Sequence, residues 1–439
     1  MRSRRWYRPL PWASLLLVMA LVASACQGGD GETATEGGGQ QTGQQTGEAS
    51  GEPIRVGGSL SLTGFLAPNG LIHKVAGELY VDRLNEAGGL LGRPVEFVII
   101  DDESSEDKAA AAYERLITEE QVDLIMGPYG TGTIAAALQV AERHGYVIPH
   151  HTGSLTYAYT YDCAFPAWSS GRYPNQTIMA DILDMLEATD DPPETIGFLV
   201  NEFPGSNYVA YGTDEGDAQD SSGAVQVAKE RGYEVVLDVA YPTEITDYGP
   251  LAAQVREANP DFLWVGGLGL DAANLIQAME ALNYRPKGEF YLWSAPAPLE
   301  EMGKPAEGAM LASMFELTMP EAQNPEVQEI ADEFATRAET EGAYPLFTTQ
   351  AAASWMAWDF LVAGVEGAGS LEQDAICEWL QNNSVETTTG GTVDFSLDEN
   401  NYYGDRSKVA QWQGDAWETV WPEEHQSTEL MWPAPNATE

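Results

Sequence analysis

Apolar positions along this chain fall into three regimes. Residues 15–25 form a short greasy run behind a basic start of Arg2, Arg4, Arg5 and Arg8, and residues 27–52 carry almost no large apolar side chain. From residue 54 onward, short apolar blocks alternate with stretches of helical spacing. The pattern predicts strands over 54–62, 95–100, 122–126 and 146–148, with helices over 71–86, 105–119 and 134–144 between them. Ser104 and Ser105 are cap candidates for the second helix. A bridge rich in aromatics and proline covers 161–168. The rhythm then restarts, with strands over 195–200, 233–240, 262–265, 290–293 and 309–315 and a helix over 272–282. Residues 325–380 read as mainly helical, and a last strand pair over 392–395 and 408–412 closes the chain around a turn near 398–404. Strands alternating with helices imply parallel sheets covered on both faces. The expected fold class is α/β: two Rossmann-like lobes of one rhythm, without a sequence repeat.

Length agrees with that division, since 439 residues exceed one ordinary core. The net charge of −47 repels nucleic acid and anionic headgroups, so neither is an expected partner. The same acidity also suits a saline habitat, and the sequence does not separate the two readings. The basic head, the greasy run and the small residues Ala23, Ser24 and Ala25 have the form of an export signal over 1–25. The apolar run is shorter than the roughly 18 residues of a spanning helix. Cys26, directly after the small residues, resembles the lipobox cysteine of bacterial lipoproteins, which implies a diacylglyceryl anchor at Cys26. Residues 26–52 then read as a flexible linker, and the tail after about Pro422 reads as loose. Outside the cytoplasm Cys163 and Cys377 can form a disulfide, or they can remain two buried thiols.

In open parallel sheets, ligands gather at the carboxyl ends of the strands. Four such ends are candidates. The first is the loop holding Phe65. The second is Gly127-Pro128-Tyr129-Gly130-Thr131-Gly132-Thr133, which leads straight into a helix. Its glycines permit close backbone approach, and free N–H groups at the helix start favour an anion. The third is His150-His151-Thr152, and the fourth is the Gly-Gly-Leu268-Gly turn of the second half. Thr131 is read either as a helix cap or as a ligand contact, and both can hold. Adjacent histidines in extended chain point to opposite faces, so His150 and His151 do not make a metal site. The acidic run at 101–107 lacks the spacing of a calcium loop. No nucleophile elbow or phosphate loop is present, so neither catalytic residue nor cofactor is expected.

The ordered set LTGFLAPNG, VDRLNEAGG, Asp101-Asp102, GPYGTGT, IPHHTG and PAEGAML resembles the leucine/isoleucine/valine-binding protein family, over residues 54–412. The resemblance implies a type I periplasmic-binding fold, with parallel-sheet lobes joined by a three-stranded hinge. Its crossovers place the lobes at 53–165 and 317–390 for the first and 166–316 and 391–424 for the second, with a tail at 425–439. It implies an extracytoplasmic, monomeric, non-enzymatic solute receptor whose partners are a small-molecule ligand and the permease and ATPase subunits of an ABC importer. The alternative role is a ligand-sensing subunit for a membrane receptor or kinase. The ligand carboxylate would rest on Gly130, Thr131 and Thr133 and on His150, His151 and Thr152. Two departures stand out: Ala295 occupies the place of an acidic partner for an α-ammonium, and Leu268 the place of a tyrosine. A simple branched-chain amino acid is therefore a poor expected ligand. Phe65, Tyr129, Trp168 and Trp293 can line a more aromatic pocket, and each can equally be core. Glu202, Tyr208 and Tyr211 are candidates for the missing acceptor.

Overall fold

The computed structural model describes residues 49–153, 159–169, 178–213, 221–389, 391–397, 401 and 407–438. The export signal, Cys26 and the linker up to residue 48 lie outside them. In the first lobe β1 (Ile54–Leu60), α1 (Ala67–Glu86), β2 (Val95–Asp101), α2 (Glu106–Thr118), β3 (Leu124–Met126), α3 (Thr131–His144), β4 (Ile148–Gly153) and β5 (Ala164–Ser169) follow one another. The second lobe holds α4 (Ile178–Glu187), β6 (Thr195–Asn201), α5 (Pro204–Tyr211), the ribbon β7 (Gly212–Thr213) and β8 (Ser221–Ser222), and α6 (Ala224–Glu230). It continues with β9 (Glu234–Tyr241), α7 (Gly249–Ala258), β10 (Phe262–Gly269), α8 (Asp271–Ala281), β11 (Gly288–Ser294), α9 (Pro296–Met302) and β12 (Met310–Ser313). The chain returns to the first lobe for α10 (Pro325–Glu341), α11 (Thr349–Ala368), α12 (Gln373–Asn382), β13 (Ser384–Glu386) and β14 (Thr392–Asp394). It ends in the second with β15 (Lys408–Gln413) and β16 (Ala416–Trp421).

In the first lobe β1 lies between β2 and β3, all parallel, and β4 pairs in parallel with β5. The second lobe is one seven-stranded sheet in the order β16-β15-β12-β11-β10-β6-β9. It is parallel from β12 to β9, with β15 and β16 added antiparallel at the edge. Each lobe has its own apolar core. One joins residues 54–168 to 314–395, and two more lie on either side of the second sheet. Helix α11 explains why the first lobe needs its returning segment. It is largely apolar and buried on every face, with Trp355, Met356, Trp358, Phe360 and Leu361 among its buried residues, so it sits inside the lobe.

Several expectations change. The bridge at 161–168 contains β5, whose Thr152↔Trp168 and His150↔Pro166 register adds it to the first lobe. Pro166 disguised it, because a proline demotes a strand in sequence and yet fits at a sheet edge. The first lobe therefore runs past the boundary set at 165. It also resumes at Met314, before 317, and keeps Val393 and Phe395, past 390, because their side chains enter its core. The segment at 392–395 pairs with β13, and β15 pairs with β12 and β16. The segment after Pro422 is docked. Trp432 packs against the second-lobe core, Ala434 N donates to Lys287 O at 2.7 Å, and Met431 N donates to Gln411 Oε1 at 2.8 Å. Cys163 and Cys377 form a disulfide that ties the loop before β5 to α12.

Asp359, on the buried α11, accepts from Thr388 N at 2.8 Å, Thr388 Oγ1 at 3.1 Å and Tyr80 OH at 3.0 Å. Burial outweighs these bonds and pushes its carboxyl up to about 7. The folded state thus keeps a proton that an unfolded aspartate loses near pH 4, so this group's contribution falls as pH rises from about 4 to about 7. Urea unfolding is expected to show higher stability at pH 5 than at pH 8. Asp359→Asn is expected to remove a part of that slope on the order of 2 kcal/mol. An unchanged slope in the variant contradicts this reading.

Candidate functional site

The carboxyl ends of both sheets face a cleft of about 680 Å³, counted out to its open mouth. The first lobe contributes Phe65, Leu66, Pro68 and Asn69 from the start of α1, Tyr129, Gly130 and Thr131 from the start of α3, and Thr152 and Gly153 from β4. Trp168 on β5 and Gln350 on α11 complete that wall. The second lobe contributes Phe203, Leu268, Gly269, Trp293 and Ala295. Phe65 and Phe203 meet edge to face across the mouth, with ring centroids 6.5 Å apart, so the two lobes already touch there.

Local chemistry explains the wall. Gly130 precedes α3 at φ 100°, a conformation that side chains other than glycine's rarely adopt, and it lets the first turn of the helix, with its unpaired N–H groups, begin at the cleft wall. These groups carry the partial positive charge of the helix start. Tyr129 OH accepts from Asn69 Nδ2 at 2.6 Å, and burial pushes the phenol up to about 12. On the opposite wall, β10 shifts register between Val265 and Leu268, which places Leu268 beside Trp293. Asp271 fixes that turn: its Oδ2 accepts from Leu268 N at 3.0 Å, Asn201 Nδ2 at 3.0 Å and Tyr241 OH at 2.6 Å, and its Oδ1 from Tyr248 OH at 2.5 Å.

Behind the first-lobe wall, Tyr129, His73 and His151 stack, with centroids 4.8 and 4.2 Å apart. Burial pushes all three nearby imidazoles down: His73 well below its ordinary value, with the neighbouring His151 adding to the effect, His150 to about 3 and His151 to about 4. All are neutral at physiological pH. Gln350 Oε1 lies 3.0 Å from His73 Nε2 and 3.5 Å from Thr152 Oγ1. With Oε1 accepting from both, the amide nitrogen of Gln350 is the end left for the cleft, as a donor.

Of the sequence candidates, Phe65, Tyr129, Gly130, Thr131, Thr152, Leu268 and Trp293 line the cleft together. Thr133, His150, His151 and Glu202 do not. Thr133 Oγ1 turns back onto the chain at the start of its own helix, donating to Gly130 O at 2.8 Å. His150 is buried edge to face against Tyr159. His151 is buried beside Ser354 Oγ, 3.4 Å away. Glu202 is exposed, because Asn201 Oδ1 accepts from Phe203 N at 3.0 Å in a turn that brings Phe203 to the cleft instead. Tyr208 is buried, and Tyr211 is exposed with its hydroxyl on Asp238. Phe203 and Gln350 were missed. Phe203 follows a strand end and was legible in principle, whereas Gln350 arrives from a segment about two hundred residues further on than β4.

No lysine, arginine or carboxylate is among the described residues that line the cleft, and five of its residues are aromatic: Phe65, Tyr129, Trp168, Phe203 and Trp293. Such a site can hold an apolar or aromatic body with an anionic end on the helix start and Gln350.

A family model described as periplasmic binding protein matches residues 53–416. Leu/Ile/Val-binding protein homolog 8 of Brucella abortus (strain 2308) is 27% identical over 240 residues, 53% of this chain and 54% of that protein. The chain thus spans about half the length of the first curated relatives it matches. Homolog 4 of the same organism is 23% identical over 371 residues, 82% of this chain and 84% of that protein. Among solved structures, the LivJ substrate-binding protein of Streptococcus pneumoniae in complex with isoleucine is 18% identical with a TM-score of 0.69, covering 84% of this chain and 100% of that one. An ABC transporter solute-binding protein of R. palustris in complex with benzoate is also 18% identical, with a TM-score of 0.67, covering 87% and 98%. At these identities the structural likeness speaks to the fold.

Proposed function

Since this chain belongs to the periplasmic binding protein family, whose members act outside the cytoplasm, we propose that it is the solute-capturing subunit of an ABC importer for a small aromatic or apolar carboxylate. The observation that carries the reading is the cleft itself: five aromatic side chains, no charged one among the described residues that line it, and an anion-favouring end at Gly130, Thr131 and Gln350. An anionic headgroup there is held by backbone N–H groups and an amide, without a full positive charge. The α-ammonium of leucine or isoleucine would be desolvated with no acidic partner among the described residues that line the cleft, since Ala295 stands where one is needed. Benzoate, bound by the R. palustris protein, has the matching chemistry.

Closure about the three crossings between lobes, which Phe65 and Phe203 already bridge at the mouth, would exclude water, and the ligand favours that state only by its extra affinity for it. The protein neither turns over its ligand nor needs a cofactor. It works as a monomer, tethered by a lipid on Cys26 after export, and hands its cargo to a permease driven by an ATPase subunit. Calorimetry of the purified protein tests the ligand class: benzoate is expected to bind at least tenfold more tightly than leucine. Leucine binding as tightly as benzoate would overturn the assignment.

A further inference from the structure

Beyond the cleft, and sharing Asn69, Trp168, Trp293 and Gln350 with it, lies a second chamber of about 510 Å³, counted out to its open side. Its walls differ in kind from those of the first. Trp168, Trp293, Tyr344 and Trp417 line it together with the carboxyl of Glu316, which is only 6% exposed. A second carboxylate stands directly behind two of these rings. Glu300 Oε1 accepts from Trp417 Nε1 at 2.8 Å and from the hydroxyl of Tyr344. The chamber is therefore an aromatic enclosure with acidic groups in and behind its wall, beside a cleft whose described lining residues include no ionisable group except the phenol of Tyr129.

Four indole and phenol rings grouped around a carboxyl are the chemistry that recognises an alkylammonium ion, which gains from both the ring quadrupoles and the negative charge. From this geometry we infer that the chamber is a cation subsite, taking an alkylammonium group carried on the far end of the ligand. The inference builds on the proposed function: the full ligand is an elongated molecule with a carboxylate at the start of α3 and a cationic end between Trp293, Trp417 and Glu316.

Groups from four elements face Glu316. Glu300 on α9 raises its carboxyl, Lys408 on β15 lowers it, and the hydroxyls of Ser313 and Thr349 bond to it, Ser313 Oγ donating at 2.6 Å. Burial is the largest influence, and it holds Glu316 up to about 8. A cation entering the chamber favours the ionised form, so binding releases a proton at pH 7 and strengthens as pH rises from 6 to 9.

Tetramethylammonium chloride, titrated into the intact protein against sodium chloride, probes the chamber without calling on the cleft. We expect saturable quenching of tryptophan fluorescence that tightens with pH. Glu316→Gln, which keeps the acceptor for Ser313, is expected to weaken it about tenfold and abolish its pH dependence. Glu300→Gln serves as a second variant, with a weakening in the same direction. A linked comparison uses 4-(aminomethyl)benzoate and 4-ethylbenzoate, its near-isostere without the ammonium, the first expected to bind more tightly in the parent and to lose that advantage in Glu316→Gln. Absence of saturable tetramethylammonium binding, or equal affinity in parent and Glu316→Gln, overturns the subsite. Failure of benzoate alone overturns the proposed function and leaves the tetramethylammonium result to stand by itself.

Discussion

Asp271→Ala is expected to be the most destabilising single substitution considered for this molecule. The carboxylate is 5% exposed and gathers four donors, from Asn201, Tyr241, Tyr248 and the backbone of Leu268. Removing it leaves two phenols and an amide buried without their acceptor, at about 1–3 kcal/mol for each unsatisfied group. Water entering the vacated space recovers part of this, so the net loss should be about 3–5 kcal/mol. The damage is not confined to stability. The turn that carries Leu268 and Gly269 forms the second-lobe wall of the cleft, and its anchor is Asp271. Urea unfolding should show the loss directly, and benzoate affinity should fall in the same variant. A change below about 1 kcal/mol would mean the network is not the clamp described here.

The second large effect is on binding. Gln350→Leu keeps the approximate volume of the side chain and removes its amide. A hydrogen bond to a charged group is worth about 1.5–3 kcal/mol, which corresponds to roughly 10- to 150-fold in affinity. Calorimetry should therefore show benzoate binding at least tenfold weaker, with most of the loss specific to the carboxylate. Benzamide, lacking the full negative charge, should lose less. The neutral state of His73 is part of this prediction, because the imidazole N–H held against Oε1 is what orients the amide. Equal losses for benzoate and benzamide would show that Gln350 acts by packing alone.

The legible part of the fold was set by local physics. β1 is a mostly buried run and β2 a half-buried, largely apolar one, neither with a competing helical period, and α2 begins at a serine that caps it, Ser105 Oγ accepting from Lys108 N. Glycine requirements were also readable around Gly130, where a turn must admit a helix start to a ligand. What escaped depended on partners far along the chain. β5 became a strand only because β4 lies beside it, and the final residues dock only because Lys287 and Gln411 offer hydrogen bonds. The helix extension at the start of α1 depends on close approach: a Cβ on Gly70 would stand 1.9 Å from Ser61 O. At the cleft, local reading found the loops but not always the side chain. Glu202 was chosen for its charge, yet the turn made by Asn201 presents Phe203. His150 and His151 were chosen for their place after a strand, yet both are sealed in behind it. Gln350 has no local signal at all, since its role comes from His73 and Thr152.

The most direct test follows backbone amides. Protein labelled with 15N and deuterium is titrated with benzoate while the resonances of the α3 start are observed. The account predicts that Thr131 and Gly132 shift most, in step with the tryptophan signals of Trp168 and Trp293. Saturable binding that leaves Thr131 and Gly132 unmoved, with the largest shifts elsewhere, would contradict it.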